Sequence, residues 1–165
     1  MQFLKYCGSP LGGIALASDG VALTGLWLEG QKYFGATLGE GVREADLPVF
    51  DAAAGWLARY FEGERPEPGE LPLAPRGSAF RLRVWRQLLE IPYGTVTTYG
   101  EIARRLSENG AQTSARAVGG AVGHNPISII IPCHRVVGAD HSLTGYAGGL
   151  EAKRFLLELE GAHIR

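Results

Sequence analysis

The chain of 165 residues is 45% hydrophobic and 20% charged, with a formal net charge of −1, as in ordinary globular proteins large enough for one good core or two small ones. It holds no uninterrupted apolar segment of about 20 residues, and Met1-Gln2-Phe3-Leu4-Lys5-Tyr6 lacks the basic and apolar regions of a secretory leader, so no membrane span is expected and a cytoplasmic location is. Its two cysteines, Cys7 and Cys133, make neither a disulfide framework nor a CxxC metal pair, which fits a compartment that keeps a thiol free.

The small net charge hides an asymmetry. Residues 1–75 hold five Lys/Arg against ten Asp/Glu, and residues 76–165 hold eleven against seven. The second half is therefore the better candidate to meet a polyanion, with Arg76, Arg81, Arg83, Arg86, Arg104, Arg105 and Arg116 set against Glu90, Glu101 and Glu108. A solvated helical surface is the plain alternative.

Residues 2–34 read as short strands: Phe3 to Cys7, Ile14 to Ala17 and Val21 to Leu28, with Asp19-Gly20 as a hairpin signal. The glycine-rich turn at 8–13 lacks the Lys-Ser/Thr ending of a phosphate loop. Cys7 falls in an apolar strand pattern and reads as a small core residue. From Leu47 to Phe61, apolar residues recur at helical spacing, with Gly63 as the stop. Four prolines between Glu64 and Pro75 then mark a linker, and the domain boundary is placed near residue 75.

The second domain, residues 76–165, opens with a helix capped by Ser78, whose Phe80, Val84, Trp85 and Leu88 share a face. Thr98 caps a second helix, Tyr99 to Leu106, in a Thr-x-x-Glu box with Glu101. Residues 107–111 form a loop, and Thr113 or Ser114 starts a third helix, giving the outline of a helix-turn-helix. On that third helix Ala115, Ala117, Gly119, Gly120 and Ala121 offer almost no bulk, and Arg116 is the one long side chain at its start. Two glycines cost a helix roughly 1 kcal/mol each, so close packing or close ligand approach should compensate.

Next comes Ile127-Ser128-Ile129-Ile130-Ile131, which reads as a buried strand ended by Pro132, so that Cys133, His134 and Arg135 emerge on a turn. A thiol near pKa 8.5 needs a base or a positive charge to supply thiolate, and His134 backed by a carboxylate meets that need. Glu160 is the candidate carboxylate, because at a helix C-terminus it is disfavoured unless solvated or partnered. A loop rich in glycine and alanine follows, centred on Tyr146 with Ala147 and Gly148. The last helix, Leu150 to Glu160, is expected to bury Ala152, Phe155, Leu156 and Leu159.

Pro132-Cys133-His134-Arg135-Val136 resembles the active-site signature of the O6-alkylguanine-DNA alkyltransferases, or methylated-DNA–protein-cysteine methyltransferases. Further segments agree in order: Ile91-Pro92-Tyr93-Gly94, Thr98-Tyr99-Gly100-Glu101-Ile102-Ala103, Ala115-Arg116-Ala117-Val118-Gly119-Gly120-Ala121, Asn125-Pro126, and Leu143 through Leu150. The resemblance implies an α/β (α+β) fold: a small ribonuclease H-like sheet-and-helix domain, then a mostly helical, winged-helix-like domain with a helix-turn-helix. It implies single-turnover, cofactor-free repair, in which a cytoplasmic monomer moves the alkyl group of O6-alkylguanine, and of O4-alkylthymine, from double-stranded DNA to Cys133.

By the same resemblance, Arg116 enters the base stack from the minor groove while Thr113, Ser114, Ala115, Ala117, Gly119 and Gly120 lie along it. Tyr99 rotates the nucleotide and serves guanine N3, Asn125 orders the turn before the active site, and His134 with Glu160 takes the thiol proton through a water. Val136, Tyr146, Ala147 and Gly148 line the pocket, and Arg135 braces the fold or contacts the helix-turn-helix instead of reacting. The sequence departs from the pattern in having Ala147 where some members carry serine, and a 107–113 loop a few residues longer than usual. The metal ligands of some relatives are not evident, so no zinc is expected. Two other readings use the same residues: a module that binds alkylated DNA without repairing it, and a Cys-His hydrolase working through a thioester. Affinity for duplex DNA should fall as salt rises, measured by fluorescence anisotropy; a flat response would count against the basic half as the DNA surface.

Overall fold

In a computed structural model the described residues are 1–110 and 112–164; Ala111, at the end of the expected loop, lies outside them, as does Arg165. The chain divides into two compact units, Met1–Arg76 with Pro126–Ile130, and Gly77–Asn125 with Ile131–Arg165.

The first unit is built on a four-stranded sheet of order β3-β2-β1-β4. Strands β1 (Phe3–Ser9), β2 (Gly12–Ser18) and β3 (Leu23–Leu28) form an antiparallel meander, and the two-residue β4 (Arg43–Glu44) runs parallel to β1. Gly12 turns the first hairpin at a φ of +100°, a conformation that costs glycine little. Asp19 and Gly20 turn the second, where the Asp19 carboxylate accepts from the backbone N–H groups of Val21 and Ala22. Helix α1 (Pro48–Phe61) packs on the sheet, burying Val49, Phe50, Ala53, Trp56, Leu57 and Tyr60. A smaller cluster of Ala15, Ala17 and Trp27 is covered by Leu4 and Leu38. A Cβ on Gly25 would lie 2.2 Å from the Trp27 ring, so only glycine leaves room for that indole. Cys7 is only partly buried, not a core residue as the strand pattern suggests, because it lies near the exposed end of β1.

Every residue of β3 is buried, and its outer edge is occupied. Pro72 and Ala74 bracket Leu23 with two hydrogen bonds of 2.8 Å, and Pro126 and Ser128 bracket Leu26 at 2.8 and 3.0 Å. The run from Ile127 to Ile131 is buried, but it is not the strand its composition predicts. Ile127 alone makes a bridge; Ile130 N–H then donates to Ser128 carbonyl across a γ-turn centred on Ile129, whose φ is +71°. Burial, not ladder pairing, accounts for the apolar run, a distinction that composition cannot make.

In the second unit, α2 (Ala79–Leu89), α3 (Tyr99–Glu108) and α4 (Ala115–Gly123) pack on one another through Val84, Trp85, Leu88, Ile102, Ala103, Leu106, Val118, Ala121 and Val122. The hydroxyls of Ser78, Thr98 and Ser114 each accept from the backbone N–H three residues on, fixing where the helices begin. The expected Glu101 half of the capping box is used differently: its carboxylate binds Arg104, at 2.6 and 3.0 Å, and Arg105 at 3.4 Å. Strand β5 (Thr97–Thr98) pairs in parallel with β6 (Val136–Val137), giving the helix-turn-helix a small wing.

 Helix α5 (Leu150–Leu159) buries Lys153, Leu156 and Leu157, with Glu160 following as its C-cap, and leaves Phe155 38% exposed. The face expected from Ala152, Phe155, Leu156 and Leu159 is therefore rotated, because the positions i, i+3, i+4 and i+7 that turn inward begin and end with a charged residue. No helix among the described residues is long and apolar enough to cross a membrane.

A buried hydrogen bond of 2.8 Å from Trp85 Nε1 to the Ala121 carbonyl joins α2 to α4. Trp85→Phe, which removes that donor, should lower unfolding free energy by about 1–2 kcal/mol in urea titrations followed by circular dichroism.

Candidate active site

Pro132, with φ −81° and ψ 65°, occupies the centre of an inverse γ-turn in which Cys133 N–H donates to the Ile131 carbonyl at 2.8 Å. Cys133–Arg135 then forms one 3₁₀ turn, closed by a 3.0 Å bond from Arg135 N–H to the Pro132 carbonyl. The two turns send three successive side chains into different surroundings, all of them buried.

Two other segments bring Asn125 and Tyr146 toward the Cys133 thiol. Burial pushes its pKa up, and Asn125, the Lys153 charge and Tyr146 each draw it partly back. Asn125 Nδ2 also donates to the Ile131 carbonyl at 2.9 Å, which ties the end of α4 to the residue before Pro132.

His134 Nε2 is 2.7 Å from Glu160 Oε2, and both side chains are fully buried. An ionised carboxylate only accepts, so Nε2 carries the hydrogen and Nδ1 keeps its lone pair. Nδ1 makes no hydrogen bond with any described residue. Burial holds the imidazole pKa below its ordinary value, with Glu160 opposing that shift, so the ring is neutral near pH 7. Arg135 grips the same carboxylate through Nε at 2.8 Å and Nη2 at 3.1 Å, while its Nη1 donates to the Ile91 carbonyl at 2.7 Å. Gly94 N–H donates to Glu160 Oε1 at 3.2 Å. Burial alone would raise the Glu160 pKa; His134 and then Arg135 outweigh it and hold the carboxyl well below the usual range.

Tyr99, the first residue of α3, donates its hydroxyl to the Thr144 carbonyl at 3.1 Å. Lys153 Nζ donates to that same carbonyl at 2.8 Å and to the Gly145 carbonyl at 3.0 Å. Together they fix the loop that carries Tyr146, Ala147 and Gly148, all partly buried. Val136 is buried and paired with Thr97, which sets β6 directly after the Cys-His-Arg turn.

The residues assigned by resemblance to DNA lie along α4 and its entry. Ser114 is the N-cap, Thr113 precedes it, and Ala115, Arg116, Ala117 and Gly120 are exposed. Gly119 faces the other way: a Cβ there would lie 3.7 Å from the Tyr99 ring. Arg104 is bound by Glu101 and Glu108, whereas Arg116 forms no ion pair among the described residues.

Sequence reasoning missed Lys153 and understated Arg135. The signal for Lys153 was its place on the spacing Lys153, Leu156, Leu157, Glu160, where polarity hid an inward position.

Residues 3–75 match the 6-O-methylguanine DNA methyltransferase, ribonuclease-like domain, and residues 79–162 match the 6-O-methylguanine DNA methyltransferase, DNA binding domain. The methylated-DNA–protein-cysteine methyltransferase of Haemophilus influenzae is 48% identical over 158 residues, covering 96% of this chain and 86% of the relative. That of Mycobacterium tuberculosis is 48% identical over 163 residues, covering 97% and 93%. The crystal structure of Mycobacterium tuberculosis OGT in complex with DNA is similar, with a TM-score of 0.85 and 45% identity over 96% of this chain and 92% of that one.

Because the Glu160 pKa is lowered in the fold, the stability it adds is complete above its ordinary value of 4.5 and is lost as pH falls below that value. Glu160→Gln should cost about 3 kcal/mol at neutral pH. Its urea midpoint should also change less than that of the parent between about pH 5 and pH 3; parallel curves would show that Glu160 is not the group titrating.

Proposed function

Because the chain belongs to the 6-O-methylguanine DNA methyltransferase family, we propose that it repairs double-stranded DNA by direct reversal, taking the alkyl group of O6-alkylguanine irreversibly onto Cys133. The observation that carries this reading is the 2.7 Å His134–Glu160 bond beside a buried thiol, on a turn that Asn125 and Tyr146 also reach.

In this reading the protein works as a cytoplasmic monomer and needs no cofactor. The reactive carbon is hidden in the duplex, so the nucleotide must be turned out at a cost of a few kcal/mol. The bare outer face of α4 lies along the minor groove, with Thr113, Ser114, Ala115, Ala117 and Gly120 allowing close approach, while Gly119, expected there too, instead lets α4 sit close to the Tyr99 ring. Arg116 fills the space the base leaves. Val136 offers its carbonyl to the exocyclic amine, while Tyr146, Ala147 and Gly148 form the pocket wall. Ala147 has no hydroxyl, so any hydrogen bond to O6 from that position comes from its backbone N–H.

The chemistry is a displacement at carbon. The Cys133 proton passes through a water to His134 Nδ1, Glu160 steadies the resulting cation, and Arg135 and Gly94 hold Glu160 in place. The sulfur–carbon bond forms as the carbon–O6 bond breaks, and the electron pair goes to the guanine. The Tyr99 hydroxyl supplies a proton at N3, so guanine leaves neutral. Sulfur holds the alkyl group as a thioether, and the protein is consumed.

After incubation with O6-methylguanine duplex, intact-mass and peptide spectra should show one methyl equivalent, on Cys133; an unmodified thiol would refute repair and favour a binding module. Arg116→Ala should slow reaction with duplex by about tenfold or more while leaving reaction with free O6-benzylguanine nearly unchanged. Equal losses on both substrates would show that Arg116 acts in folding or chemistry.

A further inference from the structure

In a helix-turn-helix the second helix enters a groove of the duplex, and the first crosses the phosphate backbone. Here the first helix is α3, whose outer face carries Glu101, Arg104, Arg105 and Glu108, with both arginines exposed. Arginines so placed ordinarily grip phosphates and supply much of the sequence-independent affinity for DNA. These two are already engaged. Glu101 takes Arg104 in a two-pronged bond, from Nε at 3.0 Å and from Nη2 at 2.6 Å, and Glu108 accepts from Nη1. Every nitrogen of that guanidinium therefore faces a carboxylate. Glu101 also accepts from Arg105 Nε at 3.4 Å. The pairs stand three and four residues apart, so α3 itself brings them together. Two cations matched by two anions leave this group with no net charge.

Phosphates are the same at damaged and undamaged sites, so a phosphate contact tightens binding to both alike and adds nothing to discrimination. It does slow departure, and most encounters of a repair protein are with undamaged duplex. We propose that Glu101 and Glu108 hold Arg104 and Arg105 off the phosphate backbone, so that the protein leaves undamaged duplex readily. The proposal rests on duplex DNA lying along α4, as read above. The first helix then places Tyr99 and supports α4 without gripping the backbone itself, and Arg116 on α4 meets the duplex.

Glu101→Gln combined with Glu108→Gln should lower the Kd for an undamaged duplex about tenfold in fluorescence anisotropy at about 50 mM salt, and steepen the salt dependence by about one to two charges. Reaction with free O6-benzylguanine should be unchanged, because that substrate has no backbone. Repair of an O6-methylguanine duplex by protein mixed first with excess undamaged DNA should slow about tenfold, since release becomes limiting. Arg104→Ala should change the affinity of the parent by less than about twofold, yet remove most of the gain in the double variant. Weaker binding by the double variant would overturn the proposal, because the carboxylates would then be aiming Arg104 at the backbone. An unchanged affinity and salt slope would also overturn it, by showing that this face of α3 does not meet DNA. Should Glu101→Gln disturb the start of α3, Glu108→Gln alone decides: a gain of about threefold supports the proposal and no gain overturns it. A parent protein without salt-dependent affinity for duplex would overturn the functional reading itself, whereas salt-dependent binding that ignores both carboxylates would overturn only their role.

Discussion

One buried carboxylate fastens the site. Glu160 sits where α5 ends and accepts from His134, from Arg135 twice, and from Gly94 N–H. These donors come from the turn that bears Cys133 and from the segment after α2, so a single side chain determines how three stretches of chain meet. A lone buried anion would be prohibitive, and a pair would leave lone pairs unsatisfied. Four donors around two oxygens meet both requirements. The imidazole gains from this arrangement: its Nε2 hydrogen is committed to Glu160, and the opposite nitrogen is left as a base.

Much of the fold could be read from the sequence because it obeys local rules. Ser78, Thr98 and Ser114 begin helices as their hydroxyls predict, and the apolar spacing of α1 and α3 marks the faces that turn inward. The sequence misled where burial and polarity part company. Ile127 to Ile131 has the composition of a strand, but a γ-turn at Ile129 takes it out of the ladder. Lys153 draws no notice in the sequence, because lysine is rarely buried, and the expected face of α5 is rotated as a result. The site showed the same division. Cys133 and His134 are neighbours in sequence and Glu160 was the carboxylate expected beside His134, where it lies at 2.7 Å, whereas the Arg135 grip on Glu160 depends on tertiary placement that no spacing encodes.

The helix-turn-helix shows how charge can be present without being available. Glu101 and Glu108 hold Arg104, and Glu101 also reaches Arg105, so two of the arginines that make the second half basic are partly neutralised on their own helix. Such exposed pairs add little stability. Their effect is to leave Arg116, on a helix otherwise bare of long side chains, as the distinctive cation of that surface.

The Thr144 carbonyl accepts from two donors at once, the Tyr99 hydroxyl and the Lys153 ammonium. A phenol has a single proton, so Tyr99 can serve the loop or an incoming base, but not both. Because Lys153 continues to satisfy that carbonyl, the tyrosine can turn away without leaving the acceptor empty or releasing the loop. The shared acceptor thus makes the handover of one proton nearly free of structural consequence.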